Sequence, residues 1–310
     1  MADLEDTWCR DVWEAERPGR TGAWFIAGDG LTVVDPGSAR SVGHVTDAVR
    51  ELGFRADEVR RIVVTHVHLD HMGGVGKLAD WASKAEVLCH PRAARHLADP
   101  TRLEASARSV YGERFDKLWG PLTAVPAWRV RPEEDGALVV AGAHRLRFFD
   151  SPGHARHHTT MLDERTGALY TGDTVGVRYD PLYTGWSFVY VLPTTSPPDF
   201  DPPVMRDTLD RLEALAPVAV CHAHFGQSRP SDAFAACRHG LDGMDKMLTT
   251  TQKPTEVTDR WFRDALADWV REDLARMGHH DVDVDVMGED LWLNGQGLWV
   301  YWKGRAEHPT

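Results

Sequence analysis

The stretch Arg61-Ile62-Val63-Val64-Thr65-His66-Val67-His68-Leu69-Asp70-His71 changes character halfway along. Residues 61–65 form a short apolar run rich in β-branched side chains, the pattern of a strand buried on both faces. The next six residues carry four groups that can ligate a metal: His66, His68, Asp70 and His71. In an extended segment His66 and His68 point the same way and can grip one ion. Asp70 and His71 follow where the chain turns, and can face a second ion. A chance surface cluster would not sit at the mouth of a buried strand.

Further strands and helices flank this stretch. Ala23–Ala27 and Leu31–Val34 surround Gly28-Asp29-Gly30 and predict a hairpin that ends in Asp35-Pro36-Gly37. Val42, Val45, Val49 and Leu52 repeat at helical spacing over 41–53. Strands are expected at 86–89, 137–141, 145–149, 159–162, 168–171 and 218–221, with a mostly helical excursion over 92–120 and a helix over 203–215. Helices dominate from 232. In the last thirty residues Val282, Val284 and Val286 alternate with aspartates and favour a strand, whereas Leu291–Trp302 reads as strand or helix. Strand–helix alternation followed by helices predicts an α/β core over 1–240 and a mainly helical C-terminal extension over 241–310, packed on the core.

Composition narrows the function. Thirty-five Lys and Arg against 47 Asp and Glu give a net charge of −12, which repels a polyanion, so nucleic acid is not an expected partner. No run approaches the roughly 18–20 apolar residues of a membrane span. The acidic start Met1-Ala2-Asp3-Leu4-Glu5-Asp6 lacks the pattern of a signal peptide. The four cysteines, at 9, 89, 221 and 237, form no C-x-x-C pair and read as reduced thiols. A cytoplasmic protein with no membrane partner is expected.

Three later positions repeat the strand-end theme: His154 in Ser151-Pro152-Gly153-His154, Asp173 after Gly172, and His224 before Phe225-Gly226. Singly each reads as a turn or cap residue; together with 66–71 they point to one sheet edge. The set resembles the metallo-β-lactamase superfamily, in particular its glyoxalase II-like branch, in order and rough spacing over about residues 20–226. The resemblance implies an αββα sandwich of two mixed sheets and a dinuclear metal centre at its edge. It assigns His66, His68 and His154 to one ion, Asp70, His71 and His224 to the other, and Asp173 to both. His222 competes with His224 for the last position, and the family habit of placing the ligand before Phe-Gly favours His224. Asp35 corresponds to a supporting residue, and His158 to a histidine that hydrogen-bonds without ligating.

By the same resemblance the chain is expected to be a metal-dependent hydrolase. A metal-bridging hydroxide would attack a small ester, thioester, lactone or phosphoester, with Asp70 guiding a proton. Two divalent ions are implied; zinc is the first assignment, and manganese or iron suit the same ligands. Two other classes remain open: a mononuclear iron oxygenase similar to the persulfide dioxygenases, and a non-catalytic, metal-stabilised binding protein. A small molecule with an apolar portion is the expected partner. Tyr111 and Trp119, from the helical segment 92–130, and Tyr183, Trp186, Phe188 and Tyr190, from the loop after Asp173, are candidates for the pocket wall. The alternative for the loop aromatics is packing of the C-terminal helices onto the core. Trp261, Trp269, Trp292, Trp299 and Trp302 are assigned to that packing or to a homodimer seam.

Overall fold

The computed structural model describes residues 2–250 and 255–307. The first sheet contains β1 (Thr7–Asp11), β2 (Gly22–Ala27), β3 (Leu31–Val34), β4 (Val59–Val64), β5 (Glu86–Cys89) and β6 (Val130–Pro132), in that order. β1–β3 pair antiparallel and β3–β6 parallel. Helices α1 (Val42–Glu51), α2 (Leu69–Met72) and α3 (Val75–Trp81) lie between these strands in sequence. The excursion 92–120 holds α4 (Ala94–Ala98), α5 (Thr101–Tyr111) and α6 (Phe115–Leu118).

The second sheet is built from β7 (Leu138–Ala141), β8 (His144–Asp150), β9 (Thr159–Asp163) and β10 (Ala168–Gly172). A separate ribbon follows, β11 (Val177–Tyr179) with β12 (Tyr190–Leu192), around the short α7 (Pro181–Thr184). After α8 (Pro202–Glu213), β13 (Ala219–His222) and β14 (Gln227–Ser228) complete the second sheet in the order β14-β13-β10-β9-β8-β7. β10 and β13 run parallel, so this sheet is mixed as well. The chain ends with α9 (Pro230–Leu248), α10 (Asp259–Arg276) and α11 (Gly288–Glu307).

Side-chain alternation builds the layers. Trp24, Ile26, Val63 and Leu88 of the first sheet meet Leu146, Phe148, Met161 and Tyr170 of the second in one buried cluster. Their neighbours Phe25, Ile62, Val64 and Val87 point the other way, onto Val45, Val49 and Leu78 of the outer helices. Leu169 and Val220 of the second sheet pack outward on Met205, Phe234, Phe262 and Leu298 from α8, α9, α10 and α11. Strands apolar on both faces, between two helical layers, make the expected αββα sandwich.

Two expectations about the C-terminal part change. The division at 240/241 falls inside α9, which begins at Pro230 and runs to Leu248. The valine–aspartate alternation forms no strand. Val284–Met287 is a 3₁₀ turn: the Asp283 carboxylate accepts the Asp285 N–H, and among the described residues no strand pairs with this segment. Leu291–Trp302 resolves to helix within α11. Its glycines lower helix propensity but permit close packing: a Cβ on Gly295 would sit 2.7 Å from the Asp259 carbonyl oxygen of α10. All four cysteines are free. Among the described residues no helix is long and apolar enough to cross a membrane.

Candidate metal centre

The buried strand β4 ends at Val64, and His66–His71 turn from it into α2 at the edge between the sheets. The loop after β8 brings His154, the end of β10 brings Asp173 and the loop after β13 brings His224. Seven side chains from four strand ends therefore meet in two groups. His66, His68, His154 and Asp173 form one, and Asp70, His71 and His224 the other, each with ligand atoms within 4.8 Å of one another. Nε2 of His66 lies 2.9 Å from Nδ1 of His68, and Nε2 of His154 lies 3.0 Å from that same Nδ1 and 3.3 Å from Nε2 of His66. Imidazole nitrogens on one tetrahedral zinc ion stand about 3.3 Å apart, so this spacing suits a shared cation. Asp173 faces both groups. Its Oδ2 is 3.6 Å from His154 Nε2, and its Oδ1 is 3.2 Å from His71 Nε2 and 3.3 Å from His224 Nε2.

The electrostatics divide the same way. Burial, then neighbouring imidazoles, hold His66 and His68 well below the usual histidine range; burial also lowers His154. Neutral imidazole is the form that ligates. Burial opposes charge on His71 and His224 too, but Asp173 and then Asp70 outweigh it, and His224 is pushed up to about 9. Asp173 resists burial through those two histidines and stays well below the usual carboxylate range. His71 Nε2 and Asp173 Oδ1 are buried with no well-formed hydrogen bond. Burial of such atoms is unfavourable unless something else satisfies them, and a cation among these donors does so. The donor set thus fits two divalent ions.

Supporting contacts fix the ring orientations. Asp35 Oδ2 lies 3.1 Å from His71 Nδ1, while the same carboxylate accepts the Thr65 N–H and hydroxyl. The Arg20 carbonyl lies 3.3 Å from His224 Nδ1, and the Thr194 carbonyl 3.1 Å from His154 Nδ1. His158 sits beneath the cluster, where its Nε2 accepts the Asp173 N–H. His222 turns away: Nδ1 meets the Gly176 carbonyl and Nε2 the Ser228 hydroxyl. The geometry therefore brings His224, and not His222, to the cluster. Gly172 makes room at the crowded end of β10. Its φ is +48°, and a Cβ there would lie 2.5 Å from Thr65 Oγ1 and 2.7 Å from His158 Nε2.

A cavity of about 220 Å³ opens over the cluster, reached by His68, Asp70, Asp173 and His224. Tyr111 and Trp119, from the 92–130 segment, line it. Tyr183, Trp186, Phe188 and Tyr190 do not. They pack with the C-terminal helices: Trp186 Nε1–H donates to the Asp283 carbonyl, the Tyr190 hydroxyl to Asp273, and Phe188 stacks on His279 at 3.6 Å. The loop is hydrophobic because it glues the ribbon to those helices. Sequence reasoning missed Glu14 and Arg20 and the α11 residues Asp290, Trp292 and Leu293, which also line the cavity. No local motif marks them, since they arrive from opposite ends of the chain.

A sequence model of the metallo-beta-lactamase superfamily matches residues 17–224. The chain belongs to that superfamily, whose members are generally metal-dependent hydrolases. It is similar to the metallo-beta-lactamase fold-containing protein ST1585 of Sulfurisphaera tokodaii, 30% identical over 67% of this chain and 73% of that protein. The solved structure of ST1585 superposes with a TM-score of 0.66, covering 96% of this chain and 99% of that one at 22% identity. A hydroxyacylglutathione hydrolase of Hahella chejuensis is 28% identical over 70% of this chain, which spans 60% of that enzyme's length. A human acyl-coenzyme A thioesterase, MBLAC2, is 28% identical over 55% of this chain and 63% of its own length.

Proposed function

We propose that this protein is a dinuclear metal-dependent hydrolase that opens the acyl bond of a small thioester, ester or lactone. The observation that carries the reading is Asp173, whose two oxygens face two separate ligand groups. One group alone would suit a mononuclear oxygenase; two, joined by one carboxylate, favour a two-ion hydrolytic centre. His66, His68 and His154 would hold one ion, Asp70, His71 and His224 the other, and Asp173 both. Bound divalent ions supply Lewis acidity and draw the pKa of water toward neutrality, and zinc, manganese and iron all suit these donors. Relatives named as a hydroxyacylglutathione hydrolase and an acyl-coenzyme A thioesterase support acyl transfer to water over phosphoester cleavage.

The chain's own groups do the rest. Asp70 Oδ2 lies 3.5 Å from His224 Nε2, and the side chain also reaches the cavity, so its carboxylate is placed to hold a proton there during turnover. Trp119 and Trp292 line the cavity and give it apolar surface beside the ligand groups, where electrostatic contacts are stronger than in bulk water. The test is hydrolysis of an ester, thioester and lactone panel by metal-loaded protein, with His68→Ala and Asp70→Ala alongside. Turnover should fall by about 10²–10⁴-fold in Asp70→Ala, the range typical of a lost proton-transfer group. Full activity in both variants would reject the reading.

A further inference from the structure

Away from the metal groups, the cavity wall carries three carboxylates, Glu14, Glu289 and Asp290, and two guanidiniums, Arg20 and Arg114. Both guanidiniums are already engaged. Arg20 lies between Glu14 at 3.1 Å and Asp290 at 2.9 Å, and Arg114 holds Glu289 at 2.6 Å. Glu289 also pairs with Arg17 at 3.1 Å, so three carboxylates meet three guanidiniums, and among the described residues the wall offers no unpaired cation. Most of its remaining surface is apolar, from Leu103, Val110, Leu118, Trp119, Trp292 and Leu293. Anionic carriers such as glutathione and coenzyme A need surplus cations for their carboxylates or phosphates, which a wall of balanced ion pairs does not supply.

We propose that this site selects substrates whose groups within the cavity are uncharged and apolar, and discriminates against glutathione and coenzyme A thioesters. The proposal rests on the hydrolase reading for its chemistry but not for its recognition. The two can be separated by binding. Trp119 and Trp292 line the cavity, so intrinsic fluorescence reports occupancy by inert probes. The probes are 2-octanone, which is neutral, and S-hexylglutathione, which pairs a similar chain with an anionic carrier. The neutral ketone should bind saturably and about tenfold or more tightly than the glutathione thioether, and Leu103→Lys should narrow that gap. This result would stand even if no ester were hydrolysed, in which case only the hydrolase reading fails. Tighter binding of S-hexylglutathione, or no saturable binding of the ketone, overturns the proposal. So does a higher kcat/KM for lactoylglutathione or butyryl-CoA than for neutral p-nitrophenyl butyrate.

Helix α11 also reaches both metal groups at once. Asp290 grips the side chain of Arg20, whose carbonyl faces His224 Nδ1. One turn further, the Asn294 side chain accepts the Thr195 N–H at 2.8 Å, and the Thr195 hydroxyl donates to the Asn294 carbonyl at 2.9 Å. The adjacent Thr194 carbonyl faces His154 Nδ1. Gly297 seals this contact, since a Cβ there would overlap the Thr195 carbonyl. Residues four apart share one helix face, so a single face supports one histidine from each ligand group.

We also infer that Asp290 and Asn294 are positioning residues for His224 and His154. Through the two carbonyls they keep each Nδ1–H donating and each Nε2 turned to the cluster. Chelator-competition titration of zinc measures this without any substrate. Asp290→Ala and Asn294→Ala should each weaken one of two zinc ions by about 10–100-fold, the usual effect of losing such a partner. Asp290→Asn, which keeps an acceptor, should restore part of the affinity. Leu298→Ala, a buried core change in the same helix, should lower the melting temperature and leave both affinities in place. Unchanged zinc affinity in both alanine variants would contradict the inference, as would an equal loss in Leu298→Ala.

Discussion

Asp35 and His71, 36 residues apart in sequence, meet in the floor of the metal centre with Oδ2 3.1 Å from Nδ1. Asp35 holds a left-handed backbone conformation, φ +49°, where β3 ends. The strain is tolerated because its carboxylate simultaneously accepts the Thr65 N–H and hydroxyl at the end of β4. The residue thus ties two strand ends together and aims the His71 ring. Asp35→Ala strips three buried donors of a partner, at about 1–3 kcal/mol each when nothing replaces it. Denaturant unfolding should show a loss in that range or above, with weaker zinc binding. A variant as stable as the parent would show that the contact is idle.

Gly172 stands directly before Asp173, where Thr65 and His158 leave no space for a side chain. Gly172→Ala should destabilise the fold by about 1–3 kcal/mol from backbone strain alone. Displacement of Asp173 should also lower zinc stoichiometry on loading. Retention of both ions at parental affinity would mean the neighbouring atoms yield more readily than their burial implies.

The aromatic loop yields the opposite expectation. Trp186 is buried against Tyr190 and the C-terminal segment, away from the cavity. Trp186→Ala should cost about 3–5 kcal/mol of stability, as large-to-small changes in a core do. KM for any substrate turned over should stay as it was in protein that remains folded. A changed KM at unchanged stability would return the loop to the substrate pocket.

Acid stability has an identifiable contributor far from the metals. Burial alone would raise the Asp163 carboxyl, but hydrogen bonds from His144 at 2.7 Å and Thr166 at 2.7 Å outweigh it and hold it below the usual range. A carboxylate with a depressed folded-state pKa stabilises the protein above its unfolded pKa, about 3.9, and loses that contribution as pH falls through the folded value. Asp163→Asn should therefore be less stable than the parent at pH 7, with the difference shrinking below about pH 4. A difference that stays constant down to acid unfolding would assign the effect to packing alone.

Much of the centre was legible in the sequence for a physical reason. A strand buried on both faces must be continuously apolar, so polar residues at its mouth stand out, and His66–His71 supply four of the seven clustered side chains in one run. His154, Asp173 and His224 became readable only as repeats of that pattern. What the sequence concealed acts through backbone or across the whole chain. The Arg20 and Thr194 carbonyls have no residue-type signature, and the Asp290 contact spans 270 residues. In α11, glycines and a neighbouring valine–aspartate alternation masked a helix whose stability comes from packing on α10. The loop aromatics were ambiguous because a pocket wall and a helix-packing face have the same composition.

The most direct test of the two-ion account is metal content per chain, by elemental analysis after zinc loading and removal of unbound ion. The account predicts two zinc ions per chain in the parent and a reduced count in His68→Ala and in His224→Ala, each variant weakening a different group. One ion per chain in the parent, or two retained at parental affinity in both variants, would contradict it.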